Sequence, residues 1–138
     1  MLKLETVLFV EDDLTTSRFK KFLALQSGMT HEVLAIEEVR GALEFIRQLC
    51  DRNEKIPEII FVDYQMPDMN GWEFVANLES LQSHLINEPL VVMLSSEEPE
   101  RFGNELEQHK IVHSFIRKPS TPEKFERITS FFYMKKRV

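Results

Sequence analysis

The chain has 138 residues, and its 17 Lys and Arg against 23 Asp and Glu give a formal net charge of −6. That length fits one domain, and 43% apolar residues with eleven Phe can fill a core, which excludes a mainly disordered chain. The acidic balance disfavours direct binding to nucleic acid, because the phosphate backbone repels it. No apolar run approaches the ~20 residues that span a bilayer, so we expect no membrane insertion.

Cys50 is the single cysteine, and it cannot form an internal disulfide. The N-terminus lacks the separate basic and apolar regions of a signal peptide. Both observations favour a cytoplasmic protein.

Short apolar runs alternate with segments of helical spacing along the whole chain. In chain order the predicted elements are a strand over 4–10, a helix over 15–26, a strand over 32–36, a helix over 39–50, a strand over 58–62, a helix over 71–81, a strand over 90–94, a helix over 98–108, a strand over 112–116 and a helix from Pro122 with Thr121 as its N-cap. This alternation predicts an α/β fold with a doubly wound, five-stranded parallel sheet and helices on both faces. We expect one domain over residues 1–138 with no output domain.

The apolar positions of the first helix predict which of its faces is buried. Its apolar positions suggest a buried stripe of Phe19, Phe22, Leu23 and Gln26, and Gly28 is the expected stop.

Polar side chains follow four of the predicted strands. In an open parallel sheet, ligands bind beyond the carboxyl ends of the strands, so we expect these side chains to share one crevice. Clustered carboxylates need a cation, and all-oxygen ligands with open positions suit Mg²⁺. A carboxylate beside such a metal is a nucleophile for a phosphoryl group, whose oxygens an ammonium and a hydroxyl would stabilise. The residues are Glu11, Asp12, Asp13, Asp63, Ser95 and Lys118.

Each of these features alone has a simpler interpretation. Asp12 or Asp13 would cap the first helix, and Asp63 would be a turn residue before Pro67. Their joint occurrence at successive strand ends favours one shared site.

Four motifs carry a resemblance to a known family. They are Val-Leu-Phe-Val-Glu-Asp-Asp at 7–13, Val-Asp-Tyr-Gln-Met-Pro-Asp-Met-Asn-Gly at 62–71, Val-Val-Met-Leu-Ser at 91–95 and Phe-Ile-Arg-Lys-Pro at 115–119. With these, the chain resembles the receiver domain of two-component response regulators, in particular the stand-alone CheY-like type with a flavodoxin-like (β/α)5 fold. The resemblance runs from about residue 4 to about residue 132.

The resemblance implies a phosphorylation site and a metal site. Asp63 corresponds to the phosphoacceptor. Glu11 and Asp12 correspond to the acidic pair, which with Asp63 and the backbone carbonyl of Gln65 would hold Mg²⁺.

It also implies residues that respond to phosphorylation. Ser95 and Lys118 would contact the phosphoryl group, and the bond before Pro119 would be cis. Ser95 and Phe115 would form the switch, because rotation of the aromatic side chain accompanies activation in the family.

Some features depart from the family pattern. The spacing between Asp12 and Asp63 is longer than usual, and Ser96 replaces a small Ala or Gly. Lys110-Ile111 replaces the usual Gly-Ala before the fifth strand, and Pro99 lies near the start of a fourth helix with little apolar surface.

The resemblance implies a signalling switch rather than an enzyme. Such a protein accepts a phosphoryl group from a sensor histidine kinase or a phosphotransfer protein. It then binds an output partner, not identified by the sequence, through the face of helix four, strand five and helix five. Two alternatives remain open: a pseudo-receiver that only binds a partner, and a phosphohydrolase of the haloacid dehalogenase type, for which the chain lacks the second Asp and room for a cap.

Overall fold

The computed structural model describes residues 4–11, 14–26, 30–119 and 121–136. Within them the strands are β1 (Leu4–Val10), β2 (Thr30–Ile36), β3 (Ile59–Asp63), β4 (Leu90–Ser95) and β5 (Val112–Arg117). The α-helices are α1 (Leu14–Gln26), α2 (Val39–Asp51), α3 (Gly71–Ser80), α4 (Gly103–Gln108) and α5 (Pro122–Lys136). Short 3-10 helices cover Gln82–His84 and Pro99–Phe102. No helix in these ranges is long and apolar enough to cross a membrane.

The five strands form one parallel sheet in the order β2-β1-β3-β4-β5, which confirms the predicted fold. The order reverses between β1 and β3, and this is where ligands bind in sheets of this kind. Val10 lies opposite Val62, and Asp63 lies opposite Leu94. The carboxyl ends of the central strands therefore meet at one edge.

The sheet buries two apolar layers, because successive side chains of a strand point to opposite faces. On one face Phe9 and Phe61 pack against Phe125 of α5. On the other face Leu8 and Val62 belong to the layer that α2 and α3 cover. Burial on both faces explains why the central strands are apolar without alternation.

The buried face of α1 differs from the predicted stripe. Among the α1 side chains whose burial is described, Ser17 and Lys20 are buried, and Leu23 is partly buried on the same face, at the three-residue spacing of neighbours on a helix. Lys20 is buried because its ammonium group reaches the carboxyl edge of the sheet. The stripe was therefore wrong for Phe19, Phe22 and Gln26, which are exposed. The expected stop, Gly28, lies outside the described residues.

The predicted continuous helix over 98–108 is also wrong. Pro99 begins a 3-10 turn, and α4 follows only from Gly103. Between them the backbone of Phe102 leaves the helical region (φ −105°, ψ 25°) while its side chain is 2% exposed. Burial of this ring therefore coincides with the break in the helix.

The start of α5 agrees with the predicted cap. The hydroxyl oxygen of Thr121 accepts a hydrogen bond from the backbone N–H of Lys124 at 3.4 Å, and the carbonyl oxygen of Thr121 accepts from Phe125. Thr121 thus satisfies donors that the first helical turn leaves unpaired.

Gly71 lets α3 begin directly against the end of β3. A Cβ atom at this position would lie 2.9 Å from the carbonyl oxygen of Asp63 and 2.5 Å from the sulfur of Met93. We expect Gly71→Ala to lower the free energy of unfolding by about 1–3 kcal/mol, because extra volume in a packed region forces displacement. Urea unfolding followed by circular dichroism measures this.

Gly103→Ala is the matched control, because a Cβ atom there meets no atom within 4 Å. Ala has the better helix propensity, so this change should leave stability unchanged or raise it by up to about 1 kcal/mol. Equal losses in both variants would contradict the role of close approach at Gly71.

Candidate functional site

The sheet edge brings Glu11, Asp63, Ser95 and Lys118 to one end of the molecule. Asp63 ends β3 with a buried carboxylate, and Lys118 follows β5 directly. The Nζ atom of Lys118 donates to Oδ2 of Asp63 at 2.7 Å. Two residues that are far apart in the chain thus form a direct ion pair at the strand ends.

The other oxygen of Asp63 is held by the loop that follows β3. The backbone N–H of Gln65 donates to Oδ1 of Asp63 at 3.1 Å. The same loop is tied down by hydrogen bonds from Tyr64 to the Leu94 carbonyl and from Gly71 to the Tyr64 carbonyl. These bonds fix the orientation of the Asp63 carboxylate.

Glu11 lies beside Asp63 and is paired with an unexpected partner. Its carboxylate accepts a hydrogen bond from Nζ of Lys20 at 2.5 Å. The same ammonium group is 3.9 Å from Oδ2 of Asp63. Glu11, Lys20, Asp63 and Lys118 therefore form one chain of alternating charge, which we call the site network.

Burial shapes the protonation of this network. Desolvation, followed by the hydrogen bond with Asp63, raises the pKa of Glu11 to about 7, although Lys20 acts in the opposite direction. Desolvation also lowers the pKa of Lys20, against the effect of Glu11. The main cause of both shifts is the burial of the pair, since neither side chain is more than 4% exposed.

Ser95 closes β4 next to the network. Its side chain is buried, and its hydroxyl oxygen accepts from the backbone N–H of Glu97 at 2.9 Å. Its carbonyl oxygen accepts from the backbone N–H of Lys118. The bond between Lys118 and Pro119 is cis, the isomer that the family resemblance implied. Ser95 thus fixes the backbone of Lys118 and leaves its hydroxyl hydrogen available to a further acceptor.

The oxygen donors fit a hard divalent cation. Glu11 and Asp63 supply buried carboxylates in mutual contact, an arrangement of like charges that a cation stabilises. Asp12, the third predicted carboxylate, lies outside the described residues. Among the residues that are described, no three His, Cys, Asp or Glu side chains surround one point. The Gln65 carbonyl stays a predicted ligand.

An aromatic cluster joins the site to the surface near β5. We define it as Tyr64, Trp72, Phe102 and Phe115. The Tyr64 and Phe102 rings are 4.7 Å apart, and Phe102 stacks on Phe115 at 5.5 Å. Trp72, which is buried at the start of α3, contacts both Phe rings. Phe115 is partly buried, so it is neither a fully enclosed core residue nor a freely exposed one.

Lys20 is the site residue that sequence reasoning missed. The signal was its place at three-residue spacing between Ser17 and Leu23, on the face of α1 that turns to the sheet. The two Phe residues of α1 concealed it, because large apolar side chains normally mark the buried face of a helix.

Comparisons with known proteins find similar chains. The family model described as the response regulator receiver domain matches residues 7–129. The two-component response regulator ORR1 of Oryza sativa subsp. japonica is 28% identical over 124 residues, which are 88% of this chain and 52% of that protein. The chain thus spans about half the length of this curated relative.

Solved structures give the same fold. A two-component response regulator from Cytophaga hutchinsonii has a TM-score of 0.81 at 22% identity, covering 96% of this chain and 99% of that one. The chemotaxis protein CheY4 of Vibrio cholerae, crystallised at low pH, has a TM-score of 0.76 at 22% identity, covering 94% and 98%.

Proposed function

Because the chain belongs to the response regulator receiver domain family, we propose that it is a phosphorylation switch that accepts a phosphoryl group on Asp63. Receiver domains are signalling switches rather than conventional enzymes. The observation that carries the proposal is the buried Asp63 carboxylate with Lys118 Nζ at 2.7 Å. A nucleophile and a cation for the phosphoryl oxygens are thereby already in contact.

Phosphoryl transfer would proceed by attack of one carboxylate oxygen of Asp63 on phosphorus. The new O–P bond forms as the P–N bond of a donor phosphohistidine breaks, and the imidazole leaves with the electron pair of that bond. Lys118 would turn from the carboxylate to the phosphoryl oxygens and stabilise their charge. Bound Mg²⁺, held by Glu11, Asp12, Asp63 and the Gln65 carbonyl, would neutralise further charge.

The switch would then be read at the surface. Phosphorylation adds roughly 1.5 to 2 negative charges, to which the Ser95 hydroxyl can donate a hydrogen bond. The aromatic cluster supplies a packed route from Tyr64, the neighbour of Asp63, to Phe115 on β5. A change in the Phe115 rotamer would reshape the face of α4, β5 and α5, where we place the output partner.

The donor in this proposal is a sensor histidine kinase or a phosphotransfer protein. Such an exchange takes place in the cytoplasm, which agrees with the single cysteine of the chain. The family assignment gives no support to a hydrolase of the haloacid dehalogenase type.

Incubation with acetyl phosphate and Mg²⁺, followed by intact mass measurement, tests the proposal. We expect the mass of one phosphoryl group to be added, and to be lost again at high pH because acyl phosphates hydrolyse. An unchanged mass, also with a phosphorylated histidine donor, would instead favour a pseudo-receiver that only binds a partner.

Replacement of Lys118 should slow phosphorylation without abolishing the acceptor. We expect Lys118→Met to lower the rate with acetyl phosphate about a hundredfold, the usual effect of losing one charge-stabilising donor. Lys110→Met is the control, because Lys110 is an exposed lysine just before β5. The rate is measured by intact mass at timed points, and equal rates in the two variants would contradict the role of Lys118.

A further inference from the structure

Lys20 places a second ammonium group inside the pocket of the proposed phosphoacceptor. Its side chain is 4% exposed, although it belongs to the outer helix α1. The Nζ atom is 2.5 Å from Oε2 of Glu11 and 3.9 Å from Oδ2 of Asp63. It therefore lies against both carboxylates, within reach of the position at which a bridging cation would bind.

With Glu11 ionised, the charges of the described site network are balanced. Glu11 and Asp63 are the acidic members, and Lys20 and Lys118 are the basic ones. A divalent cation that enters this pocket meets the repulsion of two ammonium groups as well as the attraction of the carboxylates. Lys118 is one-third exposed and can withdraw toward solvent, whereas Lys20 is enclosed.

We propose that the Lys20 ammonium group competes with Mg²⁺ for the carboxylates of Glu11 and Asp63. Lys20 thereby raises the Mg²⁺ concentration that is needed to occupy the site. The inference rests on the proposed function for the identity of the metal. Its physical basis is that one carboxylate oxygen of Glu11 cannot contact the ammonium group at 2.5 Å and a metal ion equally well. Binding of Mg²⁺ through Oε2 of Glu11 requires Lys20 to move away from that oxygen.

A purely structural ion pair makes a different prediction. In that case removal of the Lys20 charge destabilises the protein and leaves its intrinsic affinity for Mg²⁺ unchanged. If Lys20 competes with Mg²⁺, removal of the Lys20 charge strengthens Mg²⁺ binding, because a repulsive and competing group is lost. Affinity for the metal thus separates the two roles.

The test is a titration with MgCl₂ by isothermal calorimetry on the wild type, Lys20→Met and Lys21→Met. Methionine keeps the aliphatic length of lysine without the charge, and Lys21 is the exposed neighbour on the same helix. We expect the dissociation constant for Mg²⁺ to fall about tenfold in Lys20→Met and to stay at the wild-type value in Lys21→Met. An equal or larger dissociation constant in Lys20→Met would overturn the proposal.

Two further variants keep the test decisive if Lys20→Met does not fold without metal. Lys20→Gln keeps a hydrogen-bond donor for Glu11 but no charge, and it should bind Mg²⁺ more tightly than the wild type. Lys20→Arg keeps the charge and should bind Mg²⁺ as weakly as the wild type. The proposed competition would be overturned if Lys20→Arg bound Mg²⁺ more tightly than the wild type, or if Lys20→Gln bound Mg²⁺ with the wild-type affinity.

These measurements do not depend on phosphoryl transfer. If acetyl phosphate leaves the mass unchanged while Lys20→Met gains affinity for Mg²⁺, the proposed function fails and the competition stands. If the mass increases while the affinity for Mg²⁺ does not respond to Lys20, only the competition fails.

Discussion

Asp63→Asn is expected to abolish the mass increase given by acetyl phosphate and Mg²⁺. The amide keeps the size of the carboxyl group, but it lacks the charged oxygen that attacks phosphorus. The loop that orients Asp63 can still donate from Gln65 N–H to the remaining carbonyl oxygen of Asn, so we expect the variant to fold. Intact mass before and after incubation measures the effect.

Asp68→Asn is the control for this experiment. Asp68 is an exposed carboxylate in the same loop, five positions after Asp63, and it should be phosphorylated no more than background. If the Asp68→Asn variant is fully phosphorylated and the Asp63→Asn variant is not phosphorylated, Asp63 is the phosphoacceptor. A full mass increase in Asp63→Asn would move the acceptor to another residue.

Phe125→Ala is expected to lower the free energy of unfolding by about 3–5 kcal/mol, the usual loss when a buried Phe is truncated. The Phe125 ring is fully buried and meets Phe61 at 5.2 Å and Phe9 at 5.8 Å, edge to face in both cases. Its removal leaves a cavity where α5 packs on β1 and β3. Guanidinium unfolding followed by circular dichroism measures the loss.

Phe131→Ala on the same helix is the matched control. Phe131 is 46% exposed, so its truncation removes little buried surface. We expect a change of at most about 1 kcal/mol. Similar losses at both positions would mean that α5 does not pack through Phe125 as described.

The central strands β3 and β4 were predictable because burial on both sheet faces leaves them apolar almost without interruption. β1 was predicted with the bounds that the structure has, and β4 differs by one residue, Ser95. The contact between Asp63 and Lys118 follows from the same pattern, since both side chains leave the sheet at its carboxyl edge. Topology alone brings them together.

The faces of the helices were less predictable. Hydrophobicity favours Phe19 and Phe22 as the buried face of α1, yet the long aliphatic stem of Lys20 covers the sheet while its charged end reaches Glu11. Periodicity does not detect such a side chain, because the reason for its burial is a partner elsewhere in the chain. At Phe102 the break in the helix coincides with burial of the ring against aromatic side chains of other elements.

The position of Trp72 gives the protein an internal optical probe. It is the chain's single tryptophan, and its ring lies 5.7 Å from Phe102 and 6.2 Å from Phe115. Its indole N–H is buried and has no acceptor among the described residues, so polar groups or water that approach it would alter its surroundings strongly. Tryptophan fluorescence, excited at wavelengths that tyrosine does not absorb, therefore originates at the aromatic cluster alone. Stopped-flow emission can follow rearrangement of the cluster in real time in the unlabelled wild-type protein.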